Sequence, residues 1–153
     1  MRLFIPLVAV AAAIAVLFAV TASGAGSTTT VATRSGHLAN RKGVTLYRFM
    51  KDSKSRSRCS GACAIEWPPL MAKGKVVAKG GVQKSHLGSI KRSGGRQVTY
   101  FGHPLYTFEG DGGRPGKTTG QGLSDFGGRW SVVATNGRPG TVTAGAPPSR
   151  PGY

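Results

Sequence analysis

Short runs of apolar and β-branched residues, separated by glycine pairs and prolines, make up most of the chain after its amino-terminal segment. The runs are rich in Val, Thr, Tyr and Phe and show little helical periodicity, a pattern typical of β-strands. The predicted strands are Val31–Arg34, Val44–Phe49, Lys75–Ala78, Gln97–Phe101, Pro104–Phe108 and Arg129–Ala134. Only Ser85–Ile90 suggests a helical turn. We therefore predict a mainly β fold.

The amino terminus carries an uncharged apolar run from Leu3 to Val20, preceded by one basic residue and followed by small residues. This order predicts a secretory signal peptide over residues 1–24, with an uncleaved anchor helix as the alternative. The 18 residues of the run would span about 27 Å as a helix, close to the thickness of a hydrocarbon core. Both interpretations place the domain outside the cytoplasm.

The remaining chain divides into a leader, one domain and a tail. Residues 25–30 are predicted to be a leader, and residues 31–137 the folded domain. Residues 138–153 (RPGTVTAGAPPSRPGY) are rich in Pro, Gly and Ala. Such a segment buries too little surface to offset its ordering entropy, so we predict that the tail is disordered.

A ten-residue phrase occurs twice: GVTLYRFMKD at residues 43–52 and GHPLYTFEGD at residues 102–111. The offset is 59 residues, which also relates Gly36 to Gly95. The matched residues are Tyr47 and Tyr106, Phe49 and Phe108, and Asp52 and Asp111, with Trp67 and Trp130 following at similar distances. Two copies of one β unit predict a duplicated domain, a small β-sandwich or a barrel-like fold.

The repeated residues have a structural and a functional interpretation. The aromatic rings, at strand spacing in so small a domain, are expected to form the core, and a platform for sugars or a porphyrin is the alternative. Asp52 and Asp111 follow strands and precede Ser or Gly, so their carboxylates are expected to accept turn N–H groups. The alternative role is a paired site for a cation or a basic ligand.

The Tyr-x-Phe-x-x-Asp pattern, present twice, resembles the bacterial secreted or lipoprotein repeat family that is described by a Yx(F/W/Y)xxD motif. The likeness continues in CSGACAIEWPPL (59–70) and GQGLSDFGGRWSVV (120–133). The resemblance implies an envelope or secreted β-rich module of undefined activity. Lipid-modified members need a cysteine just after the signal, and none lies near residues 20–30. We therefore expect release or a protein anchor.

The charge is strongly one-sided. The chain has 21 Lys and Arg against 5 Asp and Glu, a formal net charge of +16. Loss of Arg2 with the signal would leave 20 basic residues and a net charge of +15. Such a field favours anionic partners, here cell-wall polymers or anionic lipid head groups. The charges are dispersed along the chain, which is more typical of a feature that keeps a protein soluble than of a binding site. Nucleic acid is not expected, because no binding motif is present and export separates the protein from it.

Cys59 and Cys63 are the only cysteines. In an exported protein an even number of cysteines first predicts a disulfide. The alternative is an extracytoplasmic copper or redox carrier, since two thiolates hold Cu(I) well. In that case a third ligand would come from a histidine, with His86 and His103 as candidates beside His37, or from Met50 or Met71.

Signals of catalysis are missing from the sequence. There is no G-x-S-x-G elbow and no H-E-x-x-H array. The run GDGGRPGKTTG (110–120) fails the phosphate-loop pattern by one position, since Asp111 stands where the first glycine is required. We therefore expect an exported, non-enzymatic envelope module of undefined ligand, possessing no resident cofactor.

Overall fold

A computed structural model describes residues 26–142. Its strands are β1 (Thr28–Arg34), β2 (His37–Asn40), β3 (Tyr47–Phe49), β4 (Lys75–Lys79), β5 (Leu87–Arg92), β6 (Gly95–Tyr100), β7 (His103–Pro104), β8 (Ser124–Asp125) and β9 (Gly128–Val132). One α-helix, α1 (Ala62–Glu66), and two 3₁₀ turns, Lys84–His86 and Glu109–Asp111, complete the regular structure of the described residues. The predicted mainly β class is confirmed.

The strands form three three-stranded sheets. In the first, β1 pairs antiparallel with β2 and parallel with β4, with Thr30 opposite Val77. The second has the order β5-β6-β7, and β5 is at its edge. The third has the order β3-β9-β8 and combines the Tyr47–Phe49 strand of the first repeat with the Trp130 strand of the second.

The two repeats interlock through their backbones. The main chains of Tyr47 and Tyr106 exchange both hydrogen bonds, at N···O distances of 2.8 and 3.0 Å. Tyr47 also lies opposite Val132 on β9, and Tyr106 lies opposite Pro69, which follows Trp67. Each repeat therefore pairs its tyrosine strand with the segment that follows the tryptophan of the other repeat.

Buried side chains form two clusters. The aromatic core contains the repeated Tyr, Phe and Trp residues together with Cys59, Cys63 and Val132. An aliphatic core contains Val31, Leu38, Leu46, Val82, Val98, Tyr100, Leu105 and Val133. Both clusters draw residues from both repeats, so burial of apolar surface holds the two halves together.

The structure corrects several element boundaries. β1 begins at Thr28, so the last residues assigned to the leader belong to the first sheet. Predicted strand Val44–Phe49 is regular only from Tyr47, and predicted strand Pro104–Phe108 is reduced to β7 plus two isolated bridges at Tyr106. Strands β2, β5 and β8 were not predicted. The expected helical turn at Ser85–Ile90 is present only at its start, in the 3₁₀ turn Lys84–His86, and β5 replaces the rest.

The carboxyl-terminal boundary also differs from the prediction. Gly140 donates its N–H to the carbonyl of Val132, and Ala134 donates to the carbonyl of Arg138. The residues after Arg138 therefore extend the fold, and the domain does not end at residue 137. The predicted signal or anchor at residues 1–24 and the tail from residue 143 lie outside the described residues.

The repeat offset is not constant. Gly36 and Gly94 are the hairpin glycines with positive φ, at +80° and +81°. Gly95, which the 59-residue offset pairs with Gly36, is already the first residue of β6. The two hairpin glycines are thus 58 residues apart, one fewer than the residues of the repeated phrase. Such a change in offset is expected when a loop differs in length between the two copies.

Candidate functional site

Four repeat-related rings form one continuous stack at the centre of the molecule. Trp67 and Trp130 lie face to face, with centroids 3.9 Å apart and planes 1° from parallel. Phe108 stacks on the outer face of Trp67 at 4.2 Å, and Phe49 stacks on Trp130 at 4.3 Å. The order Phe49–Trp130–Trp67–Phe108 has a pseudo-twofold axis between the two indoles.

The stack is closed to ligands. Both tryptophans are fully buried, and Phe108 is only 6% exposed. Gly120 approaches so closely that a Cβ there would lie 2.7 Å from the Trp67 ring. Within residues 26–142 neither indole N–H has a hydrogen-bond partner, so packing alone sets the position of the pair. The aromatic residues therefore form a core, and no open platform for sugars exists at these rings.

The two repeated tyrosines flank the stack and reach across to the other repeat. Tyr47 packs edge-on against Trp67 at 5.4 Å, and Tyr106 packs edge-on against Trp130 at 5.2 Å. The Tyr47 hydroxyl donates to Asp111 Oδ2 at 2.7 Å. The Tyr106 hydroxyl donates to Asp52 Oδ2 at the same distance. Each tyrosine thus bonds the aspartate of the opposite copy.

The second oxygen of each aspartate organises the loop that follows it. Asp52 Oδ1 accepts the backbone N–H of Arg58 at 2.7 Å. Asp111 Oδ1 accepts both the N–H and the hydroxyl of Thr119, at 2.9 and 2.7 Å. One oxygen of each carboxylate therefore has the backbone partner expected of a turn aspartate. The tyrosine partner of the other oxygen was missed by the sequence analysis.

Burial shifts the pKa values of these groups. The pKa of Tyr47 is raised by burial and by the neighbouring Asp111, and the pKa of Tyr106 is raised by burial and by Asp52, although Ser57 opposes the latter shift. Burial also raises the pKa of Asp52, against the opposing effect of its hydrogen bonds and of Arg92 and Arg48. Both phenols stay protonated at neutral pH and act as hydrogen-bond donors.

Cys59 and Cys63 are joined by a disulfide, with a Cα–Cα distance of 5.2 Å. The bond lies at the start of α1, and both cysteines are buried in the aromatic core. His103 Nδ1 is engaged with Arg48 Nη2 at 3.1 Å, and His86 stacks on Phe101 at 3.7 Å. In the part of the chain that the structure describes, no three His, Cys, Asp or Glu side chains come together as metal ligands. The copper ligand set is therefore not assembled.

A hydrogen-bond network connects the first acid to the surface. The Tyr106 hydroxyl lies 2.7 Å from Ser57 Oγ. Arg92 Nη1 donates to Ser57 Oγ at 2.6 Å and to Gln97 Oε1 at 2.8 Å, and Arg92 Nη2 donates to the carbonyl of Cys59. Nothing in the sequence singles out Arg92.

The geometry defines a class of protein: a duplicated, mainly β domain whose two halves exchange strands and side-chain hydrogen bonds around a shared aromatic core. The chain belongs to the family described as a secreted repeat of unknown function, whose model matches residues 29–71 and again residues 88–134. The predicted family is therefore confirmed. No curated protein and no solved structure matches the chain.

Family membership gives the location in general terms. A secreted repeat works outside the cytoplasm, which confirms the extracytoplasmic prediction. Among residues 26–142 there is no helix long and apolar enough to cross a membrane. The candidate anchor at residues 3–20 precedes that part of the chain.

Proposed function

We propose that the protein is a non-enzymatic module of the cell envelope that rests on anionic wall polymers through its basic surface. The observation that carries this proposal is the way folding sorts the charges. Of the five acidic residues, all of which lie within residues 26–142, only Glu109 is exposed. The surface is therefore more basic than the composition alone indicates.

The basic residues are distributed in the opposite way. Nearly all lysines and arginines of the described domain are exposed; Arg48 is buried and Arg92 is half-buried. Asp52 and Asp111 are committed to the buried tyrosines and offer little to solvent. A surface with many cations and few anions attracts polyanions over several ångströms at low salt.

Co-sedimentation with purified bacterial cell walls tests the proposal. We expect the exported protein to be retained by walls that carry phosphate polymers and to be released as salt rises, because ion pairing with a polyanion weakens with salt. Walls from which the phosphate polymers have been extracted are the control and should retain much less protein. Equal retention on both preparations, or retention on neither, would contradict the proposal.

A further inference from the structure

Two grooves run side by side along β5, the edge strand of the second sheet. The first, on the disulfide side, has a volume of about 370 Å³ and is lined by Ser55, Arg56, Ser57, Lys91, Arg92 and Ser93 among others. The second has a volume of about 510 Å³, and Lys54, Ser55, His86, Ser89 and Thr99 are among its lining residues. Ser55 lines both grooves, so they adjoin. We call them together the β5 track.

The track lies at the seam between the repeats. One wall is the loop that follows Asp52 in the first repeat, and the other wall is β5 of the second. The loop is fixed in place because Ser55 donates its N–H to the carbonyl of Gly102 at 2.8 Å. Ser57, on the same loop, is bound by Arg92 of β5. Both walls are therefore held by hydrogen bonds before any ligand arrives.

The lining of the track is cationic and rich in hydroxyl groups. Lys54, Arg56, Lys91 and Arg92 supply the positive charge, and no Asp or Glu lines either groove. Serine hydroxyls, which donate hydrogen bonds to anionic oxygens, alternate with the cations along the loop from Lys54 to Arg58. This combination suits phosphate oxygens, which accept several charge-assisted hydrogen bonds at once.

Arg92 is oriented in advance for such contacts. Three of the five N–H bonds of its guanidinium are used on Ser57, Gln97 and the Cys59 carbonyl. Two N–H bonds of the guanidinium remain beyond these three, and the side chain lines the first groove. The guanidinium is therefore already held in place, and it would lose little conformational entropy on binding an anion there.

The shape of the track favours a linear ligand. β5 has six residues, a length of about 20 Å for an extended strand. Residues 87–89 of β5 line the second groove, to which the loop contributes Lys54, and residues 90–92 line the first, to which β5 contributes Lys91 and Arg92. The cations of the loop and the strand together are therefore spread along the track. A chain molecule with regularly spaced charges can contact them all, whereas a single small anion would reach only one part.

We propose that the β5 track is the binding site for a linear phosphodiester polymer of the cell wall. This inference rests on the proposed function and gives it a place on the molecule. Arg92 and the serines hold phosphate oxygens at the disulfide end, and Lys54 continues the contact along the second groove.

The test compares two double variants of the exported protein that change charge equally. Arg56→Gln with Lys91→Gln removes two exposed cations of the track, while Arg114→Gln with Lys117→Gln removes two exposed cations that line neither groove. Binding to poly(glycerol phosphate) is measured by titration calorimetry between 50 and about 200 mM salt. Arg92 is left unchanged because it also supports the core, and thermal unfolding checks that both variants are folded.

We expect the track variant to bind about tenfold more weakly at low salt and to show a salt dependence that is shallower by about one to two units of slope. The control variant should change affinity by about threefold or less, through its general charge alone. Equal losses in the two variants would overturn the track and leave the proposed function standing. No binding by the unaltered protein would overturn both.

Two further ligands test whether the site prefers phosphate over carboxylate, and a wall polymer over a membrane. Polygalacturonate, a linear carboxylate polymer, should bind more weakly than the phosphate polymer; equal affinity would overturn the assignment of phosphate. Vesicles of phosphatidylglycerol present the same phosphodiester on a membrane. Preference for the vesicles, with the track variant unaffected, would overturn the assignment of a wall polymer.

Discussion

At the scale of single residues, the repeated tyrosine and aspartate form bonds that cross between the copies. Sequence alone could assign the rings to the core and the acids to turns. It could not assign the crossing, because a motif that occurs twice is equally consistent with tyrosine–aspartate pairing within one copy and between copies. Only the exchange of strands at Tyr47 and Tyr106 decides between the two arrangements.

Tyr47→Phe tests how much one of the crossed tyrosine–aspartate hydrogen bonds contributes to the stability of the fold. The change leaves the ring packed on Trp67 but removes the donor to the buried Asp111 carboxylate. We expect the free energy of unfolding to fall by about 1.5–3 kcal/mol, the usual range for a hydrogen bond to a charged group. Urea-induced unfolding measures the change.

Tyr100→Phe is the matched control, because the Tyr100 hydroxyl donates to a neutral carbonyl, that of Thr135, at 2.6 Å. This bond should contribute about 1 kcal/mol. If Tyr47→Phe lowers the free energy of unfolding no more than Tyr100→Phe does, the crossed bond to the carboxylate is no stronger than an ordinary one. In a double-mutant cycle, Asp111→Asn should remove part of the loss caused by Tyr47→Phe.

At the scale of elements, the structure differs most from the prediction where local sequence carries no strand signal. β2 (HLAN) is four residues long, and β5 (LGSIKR) contains glycine, serine and two bases. Both are strands because they are antiparallel partners of β1 and β6 in hairpins, a tertiary effect that propensity does not report. Helix α1 is five residues long, too short for helical periodicity to show.

The contacts between β3, β7 and the turn before Arg138 lead us to expect that the stability of the fold depends on pH. Arg48, on β3, donates to the carbonyl of Gly137 at 2.8 Å and to Nδ1 of His103, on β7. An imidazole that accepts from a guanidinium must be neutral at that nitrogen. Burial, and then the charges of Arg48 and Lys54, lower the pKa of His103 from its ordinary value of 6.5.

Because the folded-state pKa of His103 is the lower one, the unfolded chain binds the proton more readily. Stability contributed by the neutral ring is therefore present above about pH 6.5 and is lost as pH falls through that value toward the folded-state pKa. The pKa of His37 is also lowered, mainly by burial, and adds to the same loss. Asp52 acts in the opposite direction at lower pH, since its pKa is raised.

Urea unfolding between pH 7.5 and about 5.5 measures this effect. We expect the unaltered protein to lose stability on acidification, and His103→Gln, which can still accept from Arg48, to lose less. His86→Gln is the control, because His86 is exposed and stacks on Phe101 at the surface. Identical pH profiles for all three proteins would argue against a role for His103.

At the scale of the whole molecule, the duplication is visible in the sequence but the mode of assembly is not. Two repeats could have formed two adjacent small domains. Here β3 of the first repeat lies beside β9 of the second, and Leu38 and Val98 donate their N–H groups to Val133 and Leu70 of the opposite copies. The halves share both cores, so neither half contains a complete hydrophobic cluster.

We therefore predict that neither half folds alone. Fragments 26–80 and 81–142, divided between Gly80 and Gly81 in the turn after β4, should each be unfolded by circular dichroism. An equimolar mixture should recover cooperative unfolding. It should also recover an exciton couplet, since Trp67 and Trp130 stack at 3.9 Å and come from different fragments.

Replacing Trp130 by Phe in the second fragment provides the control for the spectroscopic signal. The mixture should still associate through the backbone exchange, with reduced stability, but without the couplet. Cooperative unfolding of fragment 26–80 by itself would contradict the shared core.

The crossed bonds between the repeats also restrict how this chain can evolve. The partner of each tyrosine hydroxyl is encoded in the other copy, so a substitution at Tyr47 is compensated at Asp111 and not at the nearby Asp52. The copies can diverge in the loops that follow Asp52 and Asp111, where one carries the disulfide and the other is rich in glycine. They cannot diverge in the tyrosines and aspartates that form the crossed bonds. A polypeptide with a single repeat could satisfy the same bonds only by pairing with a second molecule, so the fusion of two copies turns a symmetric dimer contact into an internal one.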